Sequence, residues 1–429
     1  MALPAPAKAA LATTPVPYMG WNTYYQVGSE TPGSNNINES TIELVANSLV
    51  TTGLRDAGYK IVWLDFGWAK GRDSNGNLMV DPTLWPDGMS GLTSYLHGLG
   101  LQAGICTDAG TSGCSGQGVG SYGRYQQDAN QFAAWGFDAV KLDFCGAGQQ
   151  WLDVYPNDPR TLYAQFSNAL ANNSSRRPMI LNVCNFWTPG QINGTAPSFA
   201  DSSWDTYSWA PPDAQSWRTD TDIGFPRKPD GTGGIQFVNV LRNLSHDTDT
   251  SSNASQRGIQ TAAGPPGTPT SSPIAWGHWN DPDYLGPGLG MTDTQAQSQF
   301  SMWAIVAAPL ILGSDPRLLS STNLNMLKNA NVIAIDQDSS GVQGYLLSQN
   351  RTGQQVWVKP LADGSRAVAL FNTASSAAQI TTTARAVGMP NATRYTLLNV
   401  WTNQTSTTSY KITANVPSNT VVLYRVKAG

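Results

Sequence analysis

Apolar positions in the first three quarters of the chain follow two alternating spacings. Short apolar runs, "YMGWNTY" (18–24), "YKIVWLDF" (59–66), "LQAGICTD" (101–108), "AVKLDF" (139–144), "MILNVCN" (179–185), "SWRTD" (216–220), "AWGHWND" (275–281) and "PLILGSD" (309–315), read as strands. Between them, "ESTIELVANSLVTTGLRDAG", "GMSGLTSYLHGLG", "RYQQDANQFAAWG", "RTLYAQFSNALANNS", "GGIQFVNVLRNLSHD" and "TDTQAQSQFSMWAIVAA" repeat apolar residues every three or four positions, as amphipathic helices do. This rhythm predicts an α/β fold, a (β/α)8 TIM barrel. A doubly wound open sheet is the alternative, but no G-x-G-x-x-G follows any of the strands. Past residue 335 the pattern turns to "GYLLSQN", "QQVWVKPL", "RAVALFN", "RYTLLNVWTNQ", "YKITANV" and "TVVLYRVK", separated by Gly, Asn, Ser and Asp. This predicts a C-terminal antiparallel β-sandwich domain. The expected division is a tail over 1–16, a barrel over 17–334 and the β domain over 335–429, with the Pro/Gly-rich 262–273 a loop inside the barrel.

The polar ends of the strands carry the next step. Asp65, Asp108, Asp143, Asn185, Asp220 or Asp222, Asp281 and Asp315 fall at or just past the C-terminal end of a run. In a TIM barrel that rim is where function sits. A helix cap or Asx-turn accounts for any single one, and accounts poorly for nearly all strands together.

Composition narrows the partners. With 25 Lys+Arg, 29 Asp+Glu and no basic run, the chain is not expected to bind nucleic acid. No run of 18 apolar residues suggests a membrane span, and the opening "MALPAPAKAALATTPVP" lacks the apolar core of a signal peptide. Most of the 15 Trp and 15 Tyr are expected in the core, but an aromatic face with a polar handle also suits a sugar ring. Four cysteines without a C-x-x-C pair, and three histidines, argue against a zinc site. No metal or cofactor is expected. "DSNGN" and "HDTDT" read as turns, since neither fits a calcium loop. Sequons at Asn38, Asn193, Asn243, Asn253, Asn391 and Asn403 fit chance in an Asn/Ser/Thr-rich chain. Paired carboxylates at one rim with abundant aromatics point to glycoside hydrolysis.

The ordered motifs "PYMGWNTYY", "WLDFGW", "AGICTDAG", "FDAVKLDFCG", "NVCNFW", "SWRTDTDIG", "HWNDPDYL", "FSMWAIVAAPLILGSD" and "VIAIDQDSSGVQG" together resemble the α-galactosidase family, glycoside hydrolase family 27, from about residue 17 to the end. The resemblance implies a retaining exo-glycosidase acting on an oligosaccharide or polysaccharide by double displacement. It places the nucleophile at Asp143 in Lys141-Leu142-Asp143-Phe144-Cys145 and the acid/base at Asp222 in "WRTDTDI", with Asp220 a competitor. From the residues alone, Lys141 stands on the same side of its strand as Asp143 and is expected to hold that carboxylate ionised. A general acid needs a raised pKa, which a carboxylate beside Asp222 would supply. Arg218 and Lys141 are expected on the substrate, Asp283 there or in support, and Tyr24 and Phe186 stand where the family has Trp on the sugar.

Departures from the family bear on the sugar. Where the family has L-D-D-C-W, this chain has Leu64-Asp65-Phe66-Gly67-Trp68, so Asp65 is kept and Phe66 replaces the second carboxylate. C-E-W becomes Cys184-Asn185-Phe186, and Cys106 replaces a Tyr. A pyranoside lacking C6, as for β-L-arabinopyranosidases of the family, would suit Phe66; an isomaltose-releasing specificity is more distant. Cys114 and Cys145 match a family disulfide, whereas Cys184 lacks its partner because Ala214 stands in its place. One disulfide and two free thiols are expected, in a secreted or extracytoplasmic protein. A monomer or small homo-oligomer is expected. The non-enzymatic alternative is a carbohydrate-binding protein on a dead barrel, which would need neither Asp143 nor Asp222.

Overall fold

The computed structural model describes residues 11–25, 37–114, 118–144, 159–184, 209–228, 231–247 and 277–429. All eight expected barrel strands form: β1 (Met19–Asn22), β2 (Ile61–Leu64), β3 (Gln102–Asp108), β4 (Ala139–Asp143), β5 (Ile180–Cys184), β6 (Ser216–Arg218), β7 (Trp279–Asp281) and β8 (Leu310–Leu312). They make one sheet in the order β7-β6-β5-β4-β3-β2-β1-β8, every pairing parallel. A parallel bridge from Leu285, just past β7, to Leu312 of β8 draws the two edges together. Closure of this kind leaves no exposed strand edge. Gly104 of β3 makes room for the Trp63 ring of β2, since a Cβ there would lie 2.5 Å from it.

The longer helices among the described residues are α1 (Glu39–Thr51), α2 (Gly88–Gly98), α3 (Tyr125–Trp135), α4 (Pro159–Ala171), α5 (Phe237–Asp247) and α6 (Asp293–Ile305). The first expected helix, drawn through residue 58, is broken. After Thr51 the chain passes Gly53 at φ 79° into a separate turn, Leu54–Ala57. A left-handed glycine ends a helix because its backbone can take that angle at no steric cost. Asn38 caps α1 by accepting from Thr41 N at 2.9 Å, and Thr292 with Gln295 forms a reciprocal capping box at α6. "DSNGN" is the turn of a short hairpin, Ala69–Arg72 with Leu78–Val80, and Asp73 accepts from the backbone of Asn75 and Asn77. "HDTDT" differs from the turn reading: Asp247 ends α5, and its buried carboxylate accepts from Gln343 Nε2 at 2.8 Å. Residues 248–250 lie outside the described residues.

The C-terminal part has the strands β9 (Tyr345–Gln349), β10 (Gln354–Pro360), β11 (Arg366–Asn372), β12 (Ala378–Thr383), β13 (Tyr395–Asn399), β14 (Thr405–Thr408), β15 (Lys411–Val416) and β16 (Thr420–Ala428). An antiparallel sheet in the order β9-β10-β11-β16-β13-β14 packs on the β12-β15 pair. Val368 and Leu370 of β11 enter the sandwich core, whereas Ala367, Ala369 and Phe371 join the barrel's core. Strict alternation therefore splits one apolar strand between two cores, and "RAVALFN" is a continuous run because both faces are covered. α6 is buried nearly all round for the same reason, lying between barrel and sheet. Trp21, Trp85, Trp217, Trp279 and Trp303 are fully buried, so much of the aromatic content is core. No helix among the described residues is long and apolar enough to cross a membrane.

Candidate active site

The C-terminal ends of β2, β3 and β4 bring Asp65, Cys106, Lys141 and Asp143 together. Lys141 Nζ lies 2.9 Å from Asp65 Oδ2 and 3.5 Å from Asp143 Oδ2, with all three side chains under one-tenth exposed. One ammonium is thus shared by two carboxylates. Asp65 is fixed further: Oδ2 accepts from Asn22 Nδ2 at 3.3 Å and Oδ1 from the Phe66 backbone at 3.0 Å. Burial raises the Asp143 carboxyl above the ordinary range; Lys141 opposes this and Asp65 reinforces it. Lys141 pulls the Asp143 carboxyl down, the direction expected, but because the ammonium leans toward Asp65 burial is the larger effect. Asp143 Oδ1 is buried with no hydrogen-bond partner among the described residues.

Asp65, Cys106 and Asp143 have ligand atoms close enough to suggest a cation site. Lys141 already supplies the positive charge there. A divalent ion beside that ammonium would be repelled, so the donor set does not suit a metal.

A second cluster follows β6 and β7. Arg218 Nη1 donates to Asp222 Oδ1 at 3.0 Å and Nη2 lies 3.3 Å from Asp283 Oδ2. Asp222 is 39% exposed against 1% for Asp283, so solvent and ligand can reach only the first. Tyr24, half-buried, donates its hydroxyl to Asp222 Oδ2 at 2.8 Å, and its ring stands 5.6 Å from Lys141 Nζ. The direct contacts of Asp222 are therefore a guanidinium and a phenol, and the expected neighbouring carboxylate is Asp283, across the shared Arg218. Asp283 accepts from Tyr25 Oη at 2.5 Å, from Ile223 N at 2.8 Å and from Tyr284 N at 2.7 Å. Its position at φ 88° is held by these bonds and orients Arg218. Burial pushes the Asp283 carboxyl up to about 6, with Arg218 opposing and Asp222 adding to the rise. Asp220, the competitor, is fully buried, accepts from Thr221 N and faces Arg242 Nε at 3.3 Å. It is a capped internal ion pair.

Cys184 joins the clusters. It ends β5 beside Asp143 in register, Arg218 Nη1 lies 3.9 Å from its sulfur, and its free thiol is raised by burial and by Asp143. Cys106 is the other free thiol, as two were expected. Its partnership with Asp143, 3.3 Å from Sγ to Oδ2, and those of Tyr25 and Tyr284 were missed from sequence. Their only signals were a Cys in a Tyr position and tyrosines beside motif residues. Other rim acids are structural: Asp108 accepts from Gly110 N, and Asp315 caps the turn Pro316–Leu318 and pairs with Arg317. Asp281 accepts from Asn182 inside the barrel. Phe66 is half-buried near Gly118. Asn185, Phe186 and Cys145 lie outside the described residues, as do Asn193 and Asn253. The sequon residue Asn243 is fully buried, its amide donating to Thr221 O at 2.7 Å, and is closed to glycosylation in the folded chain.

Two carboxylates in unlike surroundings at one rim, one buried and one open, suit the division of labour of glycosidic cleavage. The class that the barrel and this rim define is a glycoside hydrolase. The sequence profile described as "Alpha galactosidase A" matches residues 13–210 and 227–338, and that of the "Alpha galactosidase C-terminal beta sandwich domain" matches 351–426. The chain is similar to a probable alpha-galactosidase of Dictyostelium discoideum, 34% identical over 95% of this chain and 91% of the relative. It is 33% identical to an alpha-galactosidase of Cyamopsis tetragonoloba over 95% and 85%. Among solved structures, alpha-galactosidase I from Mortierella vinacea superposes with a TM-score of 0.76 at 28% identity, covering 97% of this chain and 98% of that one. The chain belongs to the α-galactosidase family.

Proposed function

We propose that the enzyme hydrolyses terminal α-D-galactosidic bonds with retention, Asp143 acting as nucleophile and Asp222 as acid/base. The observation that carries this reading is the unpartnered, buried Oδ1 of Asp143 at the strand end, across the Cys184 and Arg218 contacts from an accessible Asp222. Oδ1 forms a bond to the anomeric carbon while the glycosidic C–O bond breaks and its oxygen takes the proton of Asp222. Water then attacks the same carbon, gives its proton to Asp222 and releases Asp143 as a carboxylate. Arg218 orients Asp222, and Asp283 and Tyr25 orient Arg218. Asp65 and Lys141 face the sugar's hydroxyls from the other side.

Azide distinguishes the roles. In Asp143→Ala, azide is expected to restore cleavage of an aryl α-galactoside as the β-galactosyl azide. In Asp222→Ala it is expected to give the α-azide. Full activity of Asp143→Ala, or β-galactose as the first product of the unaltered enzyme, would sink the mechanism; sugar binding with no turnover would leave a sugar-binding barrel.

A second reading, a β-L-arabinopyranosidase, is supported by Phe66 standing beside Asp65 where a second polar group would read C6. Parallel assays on p-nitrophenyl α-D-galactopyranoside, β-L-arabinopyranoside, α-N-acetylgalactosaminide and α-D-glucopyranoside separate the two. A Cys114–Cys145 disulfide and an extracytoplasmic location belong to the same proposal. They are supported by the family pattern and by the free state of Cys106 and Cys184. Peptide mapping without reductant tests the bridge.

A further inference from the structure

The two oxygens of Asp143 are treated very differently. Oδ2 has the Cys106 sulfur at 3.3 Å, the Lys141 ammonium at 3.5 Å and the Cys114 sulfur at 3.8 Å. Oδ1 has no hydrogen-bond partner among the described residues. Cys106 is 1% exposed and lies beside Lys141 in the β3–β4 register, so its sulfur is held against the carboxylate by the sheet itself. The thiol hydrogen has one other acceptor, Thr107 O at 3.7 Å, which is more distant and uncharged. Bonds to an ionised acceptor are the stronger kind.

We propose that Cys106 is a positioning residue for the nucleophile: its thiol donates to Asp143 Oδ2, fixing the carboxylate's rotation so that Oδ1 is the oxygen that attacks. This deepens the assignment of Asp143 and rests on it. A donor on Oδ2 stabilises the carboxylate against protonation and draws off some of its charge. The attacking oxygen is therefore ionised at lower pH, and the carboxylate leaves more readily when the glycosyl-enzyme is hydrolysed. The thiol can play only the donor's part, because burial and the nearby Asp143 and Asp65 raise it well above the ordinary cysteine range and keep it protonated. A phenol at this position would make a stronger bond. A thiol gives a weaker restraint with a less depleted nucleophile.

The groups facing Asp143 are Asp65 on β2, Cys106 on β3, Cys114 after β3, Lys141 on β4, Cys184 on β5 and Tyr163 on α4. Cys106 and Cys184 are both neutral thiols that hold the carboxyl down and can be removed without changing the net charge; Cys106 is the one 3.3 Å from Oδ2. The test is the acid limb of the kcat/KM profile for p-nitrophenyl α-D-galactopyranoside. Cys106→Ala is expected to move that limb upward by about one pH unit, a tenfold loss on the acid side and little loss on the alkaline side. Cys106→Ser, which keeps a donor, is expected to stay close to the original limb. A Cys106→Ala limb that does not move, with only a lower melting temperature, makes Cys106 a packing residue and overturns the proposal; so does an equal displacement in Ala and Ser.

Should the Ala variant not fold, the S–H stretch of the unaltered protein gives the same information, read against a Cys184→Ser background. It is expected at the lowered frequency of a charge-assisted donor and to rise in Asp143→Asn. An S–H band indifferent to Asp143 overturns the proposal. Labelling with 5-fluoro-α-galactosyl fluoride separates this inference from the one beneath it. A label on another residue removes Asp143 as nucleophile, whereas a label on Asp143 with an unmoved limb removes only the role of Cys106.

Discussion

Replacing Lys141 by methionine isolates what the shared ammonium does. Its Nζ stands 3.5 Å from Asp143 Oδ2, so at an effective dielectric of about 20 the attraction is about 5 kcal/mol, a ceiling of about 3.5 pH units. Opposite charges at such distances move carboxyls by about 1–3 units, and about two is expected here because the ammonium is shared with Asp65 at 2.9 Å. Asp143 is already raised by burial and by Asp65. In Lys141→Met the two acids would hold one proton between them and titrate as a pair. The acid limb of kcat/KM is expected to move upward by about two units, an approximately hundredfold loss on the acid side that recovers as pH rises. Stability follows the opposite course. A carboxyl whose folded pKa lies above its unfolded value contributes fully below the unfolded value and loses that contribution as pH rises through the folded one. The variant should therefore unfold more easily in urea at pH 8, by about 3 kcal/mol or more, and less so at pH 5. A wild-type acid limb with only KM raised would refute the reasoning and make Lys141 a sugar contact alone.

Phe66→Asp restores the second carboxylate beside Asp65. A hydrogen bond to a charged group is worth about 1.5–3 kcal/mol, so the ratio of kcat/KM for the α-galactoside over the β-L-arabinopyranoside is expected to rise tens-fold. An unchanged ratio would show that Phe66 does not face C6. Away from the site, Asp336 is buried with Oδ1 unpartnered among the described residues, and burial pushes its carboxyl up to about 8 against the pull of Lys359, itself lowered to about 8. Because the folded pKa is raised, the contribution of Asp336 is complete below ordinary carboxylate values and is lost as pH climbs toward 8. Asp336→Asn, a neutral isostere, should raise urea resistance at pH 9 by about 2 kcal/mol and leave it nearly unchanged at pH 5; equal effects at both values would show that charge burial is not the cause.

The barrel was legible because its strands are short apolar runs ending in carboxylates and its helices carry a 3.6-residue period. What was not legible lacked either mark. β12 ("AQITTT") and β14 ("TSTT") show too few apolar residues to be seen, since one face of β12 and nearly all of β14 are open to solvent and threonine supplies the strand preference. The hairpin on either side of "DSNGN" pairs the polar "AKGR" with "LMV", three residues and too short a run to read as a strand. The helix break at Gly53 was hidden by apolar spacing that continues across it into Leu54, buried in its own right. Periodicity reports which faces are covered and does not record a change of axis between two helices covering the same core.

At the site, the sequence placed Asp65 and Asp143 as twin endings of two "LDF" strands and could say that each was costly to bury. It could not say how the cost is met, because that depends on which neighbours share the cation. Lys141 belongs to the strand of Asp143 yet lies nearer Asp65. Asp65 is consequently satisfied by Lys141, Asn22 and its own loop, and is a poor nucleophile. Asp143 keeps one oxygen without a partner among the described residues and leans on a thiol for the other. The same asymmetry recurs across the barrel, where Arg218 spans the enclosed Asp283 and the open Asp222. In each half a cation joins one carboxylate that is fully engaged to another that is left available. Changing the fully engaged member of either pair, by Asp65→Asn or Asp283→Asn, should therefore act chiefly through the cation, altering how Lys141 meets Asp143 or Arg218 meets Asp222 before it alters sugar contacts.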